Sequence, residues 1–86
     1  MKSYATSDTE EAAFLWCQSG ISFNESTVTK DRKRSVVTFH FSMEETVDVE
    51  ALRKDFYNEE ASVEPKKFIR KLNDVKSILY AELKSK

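Results

Sequence analysis

This chain of 86 residues has little of what marks a cross-linked, metal-bound or flexible protein: one glycine, one proline, one cysteine and one histidine. A single cysteine excludes an intramolecular disulfide, and one cysteine with one histidine excludes a metal site built from several thiolate or imidazole ligands of one chain. With 40% hydrophobic residues, the composition indicates an ordered globular protein. We predict a single domain, residues 1–86, with an ordered core from about residue 4 to residue 83.

The sequence also lacks an excess of one charge and a long apolar run. Its basic and acidic residues nearly cancel, to a net charge of -1, so no overall field attracts it to nucleic acid or anionic lipid. The apolar runs are far shorter than the roughly 20 residues that span a bilayer, and the N-terminus lacks the basic-then-apolar layout of a signal peptide. We therefore expect a cytoplasmic protein without a membrane partner.

The most informative segment that is present runs from Ala12 to Cys17, six apolar residues in a row. Two overlapping capping boxes precede it and predict a helix from about Thr9 to Gln18, ended by Gly20. Six consecutive residues cover more than one and a half helical turns, so this helix has no face suited to water and must be enclosed on all sides. The two capping boxes are Ser7 with Glu10 and Asp8 with Glu11.

A β-hairpin is predicted next, because residues 21–30 and 35–43 are rich in Val, Thr, Phe and Ile and flank a charged turn. The turn lacks Asn-Gly and Asp-Gly, which favours a loop of three to five residues over a tight primed turn. A three-residue loop centred on Arg32 unites the apolar residues on one face. It pairs Ile21 with Met43 and Phe23 with Phe41, beside Val37 and Phe39.

Two further helices are predicted, from about Val49 to Tyr57 and from Pro65 to about Leu83, with Thr46 or Asp48 as the cap of the first. Residues 1–6 show no periodicity and are interpreted as a surface segment anchored by Tyr4. The predicted fold is therefore α+β: an N-terminal helix, a β-hairpin, and two C-terminal helices packed on one face of the hairpin.

Five groups of residues are informative through their order and spacing: Tyr4 to Asp8; Ala12 to Leu15 with Gly20 and Ile21; Val37 to Phe41; Phe56 to Asn58 with Val63 to Pro65; and Lys76 to Tyr80. Together they resemble a small family of domains of unknown function found in prokaryotes and their viruses. The resemblance implies a compact intracellular α+β domain encoded by a phage or another mobile element, and it carries no activity or ligand. Family members usually have Gly where this chain has Glu59.

Two basic groups are candidates for contact with nucleic acid. Residues 30–34 carry a net charge of +3 and residues 65–86 a net charge of +5, whereas residues 35–64 carry -6. Such an asymmetry could form a phosphate-binding stripe, although a solvated turn and a polar helix face explain it more simply. Nucleic-acid binding is therefore the alternative function. Its candidate residues are Lys30, Arg32, Lys33, Arg34, Lys66, Lys67, Arg70 and Lys71.

Cys17 and His40 are the two residues that suggest nucleophilic or acid–base chemistry, and nothing in their spacing brings them together. Without a convergent set of reactive side chains, we predict no enzymatic activity, no catalytic residue and no small-molecule substrate. No metal and no cofactor is expected either.

Aromatic residues outside the main apolar patterns favour recognition of another protein. Trp16, Tyr57 and Tyr80 are of the residue types that dominate interface hot spots, although the same rings could complete the core with their polar tips at the surface. We predict a protein-binding module that uses these three residues, with self-association as a homodimer. If the resemblance holds, it regulates or inhibits a host protein in the host cytoplasm.

Overall fold

The protein is α+β, as the sequence predicts, and its sheet has three antiparallel strands in the order β1-β3-β2. The computed structural model describes residues 2–31, 34–59 and 62–84. The third strand along the chain is therefore the central one. In chain order the elements are β1 (Lys2–Thr6), α1 (Thr9–Trp16), β2 (Ile21–Asp31), β3 (Arg34–Met43), α2 (Val49–Tyr57) and α3 (Pro65–Lys84).

The first strand corrects the prediction of a surface segment at the N-terminus. β1 pairs antiparallel with β3, with Tyr4 opposite Phe41 and Thr6 opposite Phe39. Its side chains alternate between half-buried and exposed, as a strand at the edge of a sheet requires. Five residues with a single large apolar side chain give too short a pattern for the sequence to reveal this strand. The Lys2 ammonium donates to the Val47 carbonyl and ties β1 to the segment before α2.

The hairpin has the predicted pairing at its base, but its connection and the register near its tip differ from the prediction. Both predicted pairs are present, Ile21 with Met43 and Phe23 with Phe41. At the other end Asp31 pairs with Arg34, so the connection is shorter than the predicted three to five residues. Residues 32 and 33, which remain between the strands, lie outside the described residues.

The pairing between β2 and β3 shifts by one residue between the base and the tip of the hairpin. A β-bulge between Phe23 and Glu25 accounts for this shift. It also explains a feature of the sequence: Phe23 and Val28 stand at odd and even positions, yet both pack against the core. Without the extra residue, one of them would point to the opposite face of the sheet.

All three predicted helices are present, and their ends follow local chemistry. The Asp8 side chain accepts from the backbone N–H groups of Glu10 and Glu11 and caps α1, and Asp48 caps α2 in the same way. Gly20 has a φ of +81° and supplies the left-handed residue after α1. Glu59 has a φ of 59°, in the left-handed region that favours glycine.

The core lies between the helices and one face of the sheet. Buried side chains of β3 alternate with half-exposed ones, and α1 supplies a continuous buried run. α3 contacts α1 and both hairpin strands, whereas α2 packs mainly on α1. The buried apolar residues are Ala12, Ala13, Phe14, Leu15, Cys17, Ile21, Val37, Phe39, Phe41, Met43 and Val75.

The predicted enclosure of α1 is confirmed for Ala12 to Leu15 and for Cys17, while Trp16 is half-buried. The indole ring lies 5.1 Å from the Phe23 ring and 6.3 Å from the Phe41 ring, between centroids. One side of Trp16 therefore completes the core and the rest of it lies at the surface.

Candidate functional site

The first turn of α1 carries a buried charge. Glu11 is 1% exposed and is the buried charged side chain among residues 2–31, 34–59 and 62–84. Taking an isolated carboxylate out of water costs several kcal/mol or more, so this group requires partners. Glu11 directly precedes the buried residues Ala12 to Leu15, so it lies in the part of α1 that the rest of the fold encloses.

Three side chains from two other elements supply those partners. The Tyr4 hydroxyl donates to Glu11 Oε1 at 2.9 Å, and the Tyr57 hydroxyl donates to Oε2 at 2.6 Å. Arg53 Nε donates to the same Oε2 at 3.3 Å. We call Glu11, Tyr4, Arg53 and Tyr57 the Glu11 cluster; it joins α1, β1 and α2. Each carboxylate oxygen thus accepts at least one hydrogen bond, as a buried charge requires.

These hydrogen bonds decide the charge state of Glu11. Burial alone raises the pKa of a carboxyl group, but the hydrogen bonds from Tyr57, from the Thr6 side chain, from Tyr4 and from Arg53 outweigh it and lower the pKa of Glu11 below its ordinary value. Glu11 is therefore a carboxylate at neutral pH. The effect is mutual, since burial and the bond to Glu11 raise the pKa of Tyr4 to about 12.

The Glu11 cluster also holds aromatic surface in place. The Arg53 guanidinium carbon lies 5.4 Å from the Tyr4 ring centroid and 5.8 Å from the Tyr57 ring centroid, a cation–π arrangement with both rings. Tyr57 is nevertheless 54% exposed. We call Tyr57, Arg53 and Tyr4 the Tyr57 surface: an exposed ring whose hydroxyl is fixed by a buried carboxylate.

A cleft of about 330 Å³ lies beside α2. Apolar side chains form most of its wall, and Phe56 links it to the Tyr57 surface, because the Phe56 and Tyr57 ring centroids are 5.2 Å apart. Phe56 also stacks on Phe14 at 5.1 Å. The cleft is lined by Phe14, Phe56, Glu59, Val63 and Phe68.

The three residues predicted to bind protein do not form one patch. Tyr57 belongs to the Glu11 cluster, at the start of α1, whereas Trp16 lies at the last residue of that helix. The Lys71 ammonium lies 4.4 Å from the centroid of the Trp16 ring and covers part of it. Tyr80 is 59% exposed on α3. Tyr57 and Tyr80 are thus the accessible ones.

Where the structure describes them, the two basic groups proposed for nucleic acid stand on different elements, the hairpin and α3. Lys71 covers Trp16, whose ring contacts Phe41, and Phe41 is seven residues from Arg34 along β3. At roughly 3.3 Å per residue, this separation is about 23 Å along the strand. Lys30 and Arg34 are exposed at the hairpin end, Lys66, Lys67 and Arg70 are exposed on α3, and Arg32 and Lys33 lie outside the described residues.

Cys17, the residue that follows α1, and His40, on β3, are held in different environments. Burial raises the pKa of the Cys17 thiol, while the charges of Lys67 and Lys71 oppose that rise. His40 Nε2 forms a hydrogen bond of 2.9 Å with the Thr27 hydroxyl on the other strand of the hairpin. In the described part of the chain, no group of three or more His, Cys, Asp and Glu side chains is arranged to hold a metal ion. No described helix is both long and apolar enough to cross a membrane.

Comparisons with protein-family models, with curated proteins and with solved structures found no match. The resemblance to a family of domains of unknown function therefore stays a prediction.

Sequence reasoning found Tyr57 but not the residues that hold it. It assigns Glu11 to a capping box and Tyr4 to a surface segment, and it gives Arg53 no role. One signal in the sequence points to the burial of Glu11: it directly precedes the apolar run from Ala12 to Cys17, which must be enclosed on all sides. Its partners could not be found in this way, because they are 7, 42 and 46 residues away along the chain.

Proposed function

We propose that this protein is a non-enzymatic protein-binding module whose contact surface is centred on Tyr57. One observation supports this most strongly: the hydroxyl of a 54% exposed tyrosine donates to a carboxylate that is 1% exposed, at 2.6 Å. The fold keeps a buried charge whose hydrogen bonds hold an aromatic ring at the surface. Such an arrangement suits recognition, because tyrosine and arginine are enriched among the residues that dominate binding energy.

The physical benefit is pre-organisation. A side chain that becomes ordered only on binding costs about 0.5–1.5 kcal/mol of affinity. Hydrogen bonds to Glu11 already restrain Tyr57 and Arg53 in the unbound protein. The Arg53 guanidinium also lies over the Tyr57 ring there. Contacts made by this surface therefore retain more of their energy than contacts made by free side chains.

The resemblance to a family found in prokaryotes and their viruses adds a role to this proposal. A small domain encoded by a phage or another mobile element can act by covering part of a host protein, and we propose a regulator or inhibitor of this kind. The role rests on the resemblance, whereas the Tyr57 surface rests on the geometry.

Affinity capture from the cell of origin tests the proposal. The tagged wild type should retain a partner in stoichiometric amount, and Tyr57→Ala should lose it. Tyr57→Phe keeps the ring but removes the bond to Glu11, so it should bind more weakly than the wild type and more strongly than Tyr57→Ala. Glu25→Ala is the matched control, because Glu25 is exposed on β2 and belongs to no part of the Glu11 cluster.

Two results would contradict the proposal. One is a partner that Tyr57→Ala retains as well as Glu25→Ala does. The other is binding of DNA or RNA that weakens steeply with salt and is lost on replacing Lys30 and Arg34 by Ala, which would favour the alternative function instead.

A further inference from the structure

The outward side of α3 carries a row of exposed side chains that the fold does not use. Ile69 is 56% exposed, Tyr80 is 59% exposed and Leu83 is 40% exposed. The inward side of the same helix packs against the core through Val75 and its neighbours. Steps of four and three residues place the outward side chains on one line. We call this line the α3 stripe: Ile69, Asn73, Lys76, Tyr80 and Leu83.

The charge of α3 is opposite to that around the Tyr57 surface. Pro65–Lys84 contains six basic and two acidic residues, a net charge of +4. The first turn of α1 and the α2 region, residues 8–11 and 48–59, contain seven acidic and two basic residues, a net charge of -5. Glu50 Oε1 lies 3.6 Å from Arg53 Nη1. The hydrogen bond to Glu11, burial and the charge of Glu11 raise the pKa of Tyr57, and the charge of Asp8 adds to this rise.

We propose that the Tyr57 surface of one molecule binds the α3 stripe of a second copy, head to tail. This inference rests on the proposed function and names a partner for the same surface. Each side offers exposed aromatic or aliphatic side chains, and the charges around them are complementary, which favours this pairing over contacts between like surfaces.

A symmetric pairing of two α3 stripes is opposed by the same charges. The stripe is centred on Lys76, because Ile69 and Leu83 stand seven residues to either side of it. An antiparallel pair related by a two-fold axis would therefore place Lys76 against Lys76, within two helices that each carry +4. Two Tyr57 surfaces facing each other would bring two acidic regions together.

When a pair is joined by a single head-to-tail contact, one free surface remains at each end, so this contact builds chains or rings rather than stopping at a dimer. The contact area is limited, since a helix of this length presents a face about 30 Å long. We therefore expect weak association that appears at high protein concentration and low salt.

Analytical ultracentrifugation over a dilution series tests this inference. At low salt the weight-average mass of the wild type should rise above the 10.0 kDa of one chain, pass that of a dimer, and fall on adding salt. Two variants should stay monomeric when each is measured alone. The first is Asp8→Asn with Glu50→Lys, which changes the Tyr57 surface while Asn still caps α1. The second is Lys76→Gln with Tyr80→Gln, which changes the α3 stripe.

The decisive sample is the equimolar mixture of the two variants. Each supplies the intact surface that the other lacks, so the mixture should form a one-to-one dimer, with about twice the monomer mass, and nothing larger. Two controls carry the same changes of charge away from both surfaces: Glu25→Lys with Glu44→Gln, and Lys30→Gln. These should associate as the wild type does. Thermal unfolding confirms that all variants are folded.

Three results would overturn the inference: a wild type that stays monomeric at all concentrations, a mass that levels at a dimer, or a mixture that stays monomeric. None of them touches the proposed function, which is tested by Tyr57-dependent capture of a foreign partner. Conversely, a monomer that retains such a partner would leave the Tyr57 surface in place without self-association.

Discussion

The two ends of α1 are held in the fold by different kinds of contact. At its start, Glu11 is buried and is held by hydrogen bonds from Tyr4, Tyr57 and Arg53. At its end, Trp16 is half-buried against Phe23 and Phe41, with Lys71 over its outer side. Both ends place a cation over aromatic rings. One end depends on a buried charge and the other on apolar contact.

The difference shows what each kind of contact can specify. Apolar contact at the Trp16 end tolerates rearrangement, because dispersion forces have little directionality. Hydrogen bonds to a carboxylate fix distances and directions, and they leave the Tyr57 ring exposed in one orientation. We therefore associate the Trp16 end with stability and the Glu11 end with a fixed, exposed ring, the feature on which the proposed recognition depends.

The largest effect on stability is expected at the apolar end. Phe41→Ala removes a fully buried ring that contacts both Trp16 and Phe23, and it should lower the free energy of unfolding by about 3–5 kcal/mol. Urea unfolding measures this loss. Val36→Ala, on the half-exposed face of the same strand, is the control and should cost less than about 1.5 kcal/mol. Equal losses for the two variants would contradict the assigned faces of β3.

Glu11→Gln should have the next largest effect on stability. The amide has no charge and cannot satisfy the same three donors, so we expect a loss of about 2–3 kcal/mol in the free energy of unfolding. Glu10→Gln, one residue away and exposed, should change it by less than about 0.5 kcal/mol. If Glu11→Gln were as mild as its neighbour, the carboxylate would not organise this end of the helix.

Alkaline pH should weaken the same end by a smaller amount. The pKa of Tyr4 is raised from 10.0 to about 12 in the folded protein, so its protonated form contributes stability that is fully present below pH 10. That contribution is lost as the pH rises from 10 towards 12. Thermal unfolding of the wild type and of Tyr4→Phe between pH 9 and 11.5 should show the difference between them shrinking. A constant difference would contradict the raised pKa.

The smallest effect is expected from the cation at the apolar end. Lys71→Gln removes the charge over the Trp16 ring and should lower the free energy of unfolding by about 0.5–1 kcal/mol. It should also shift the tryptophan fluorescence spectrum, because this chain has a single tryptophan. Lys66→Gln is the matched control on the same helix. An unchanged spectrum would mean that Lys71 does not cover the indole.

Most of the fold could be predicted from sequence where the pattern was local. The helix from Val49 to Tyr57 and the buried face of β3 follow from spacing over a few residues. Spacing also narrows each helix cap to two candidates, of which the structure has Asp8 and Asp48. β1 could not be predicted, because its evidence is the pairing with β3, whose residues lie 33 to 41 positions further along the chain. The bulge after Phe23 was signalled by the switch from odd to even apolar positions, which a uniform register overlooks.

The candidate site was predicted only in its exposed part. Tyr57 was identified from residue type, but its fixed orientation depends on Glu11 and Arg53, which are brought to it by the fold. A charged residue is expected at the surface on composition alone, so a buried glutamate is found only once its donors are known. Networks of this kind are the part of a small protein that sequence patterns reveal least.

Titration of Glu11 by NMR, following its side-chain carboxyl carbon from pH 7 to pH 2, shows whether hydrogen bonds or burial control this buried carboxylate. Hydrogen bonds that outweigh burial should give a pKa below the ordinary 4.5, and Tyr57→Phe should raise it towards that value. A Glu11 pKa above 4.5 in the wild type, unmoved by Tyr57→Phe, would show that burial prevails and that the carboxylate does not hold the Tyr57 surface.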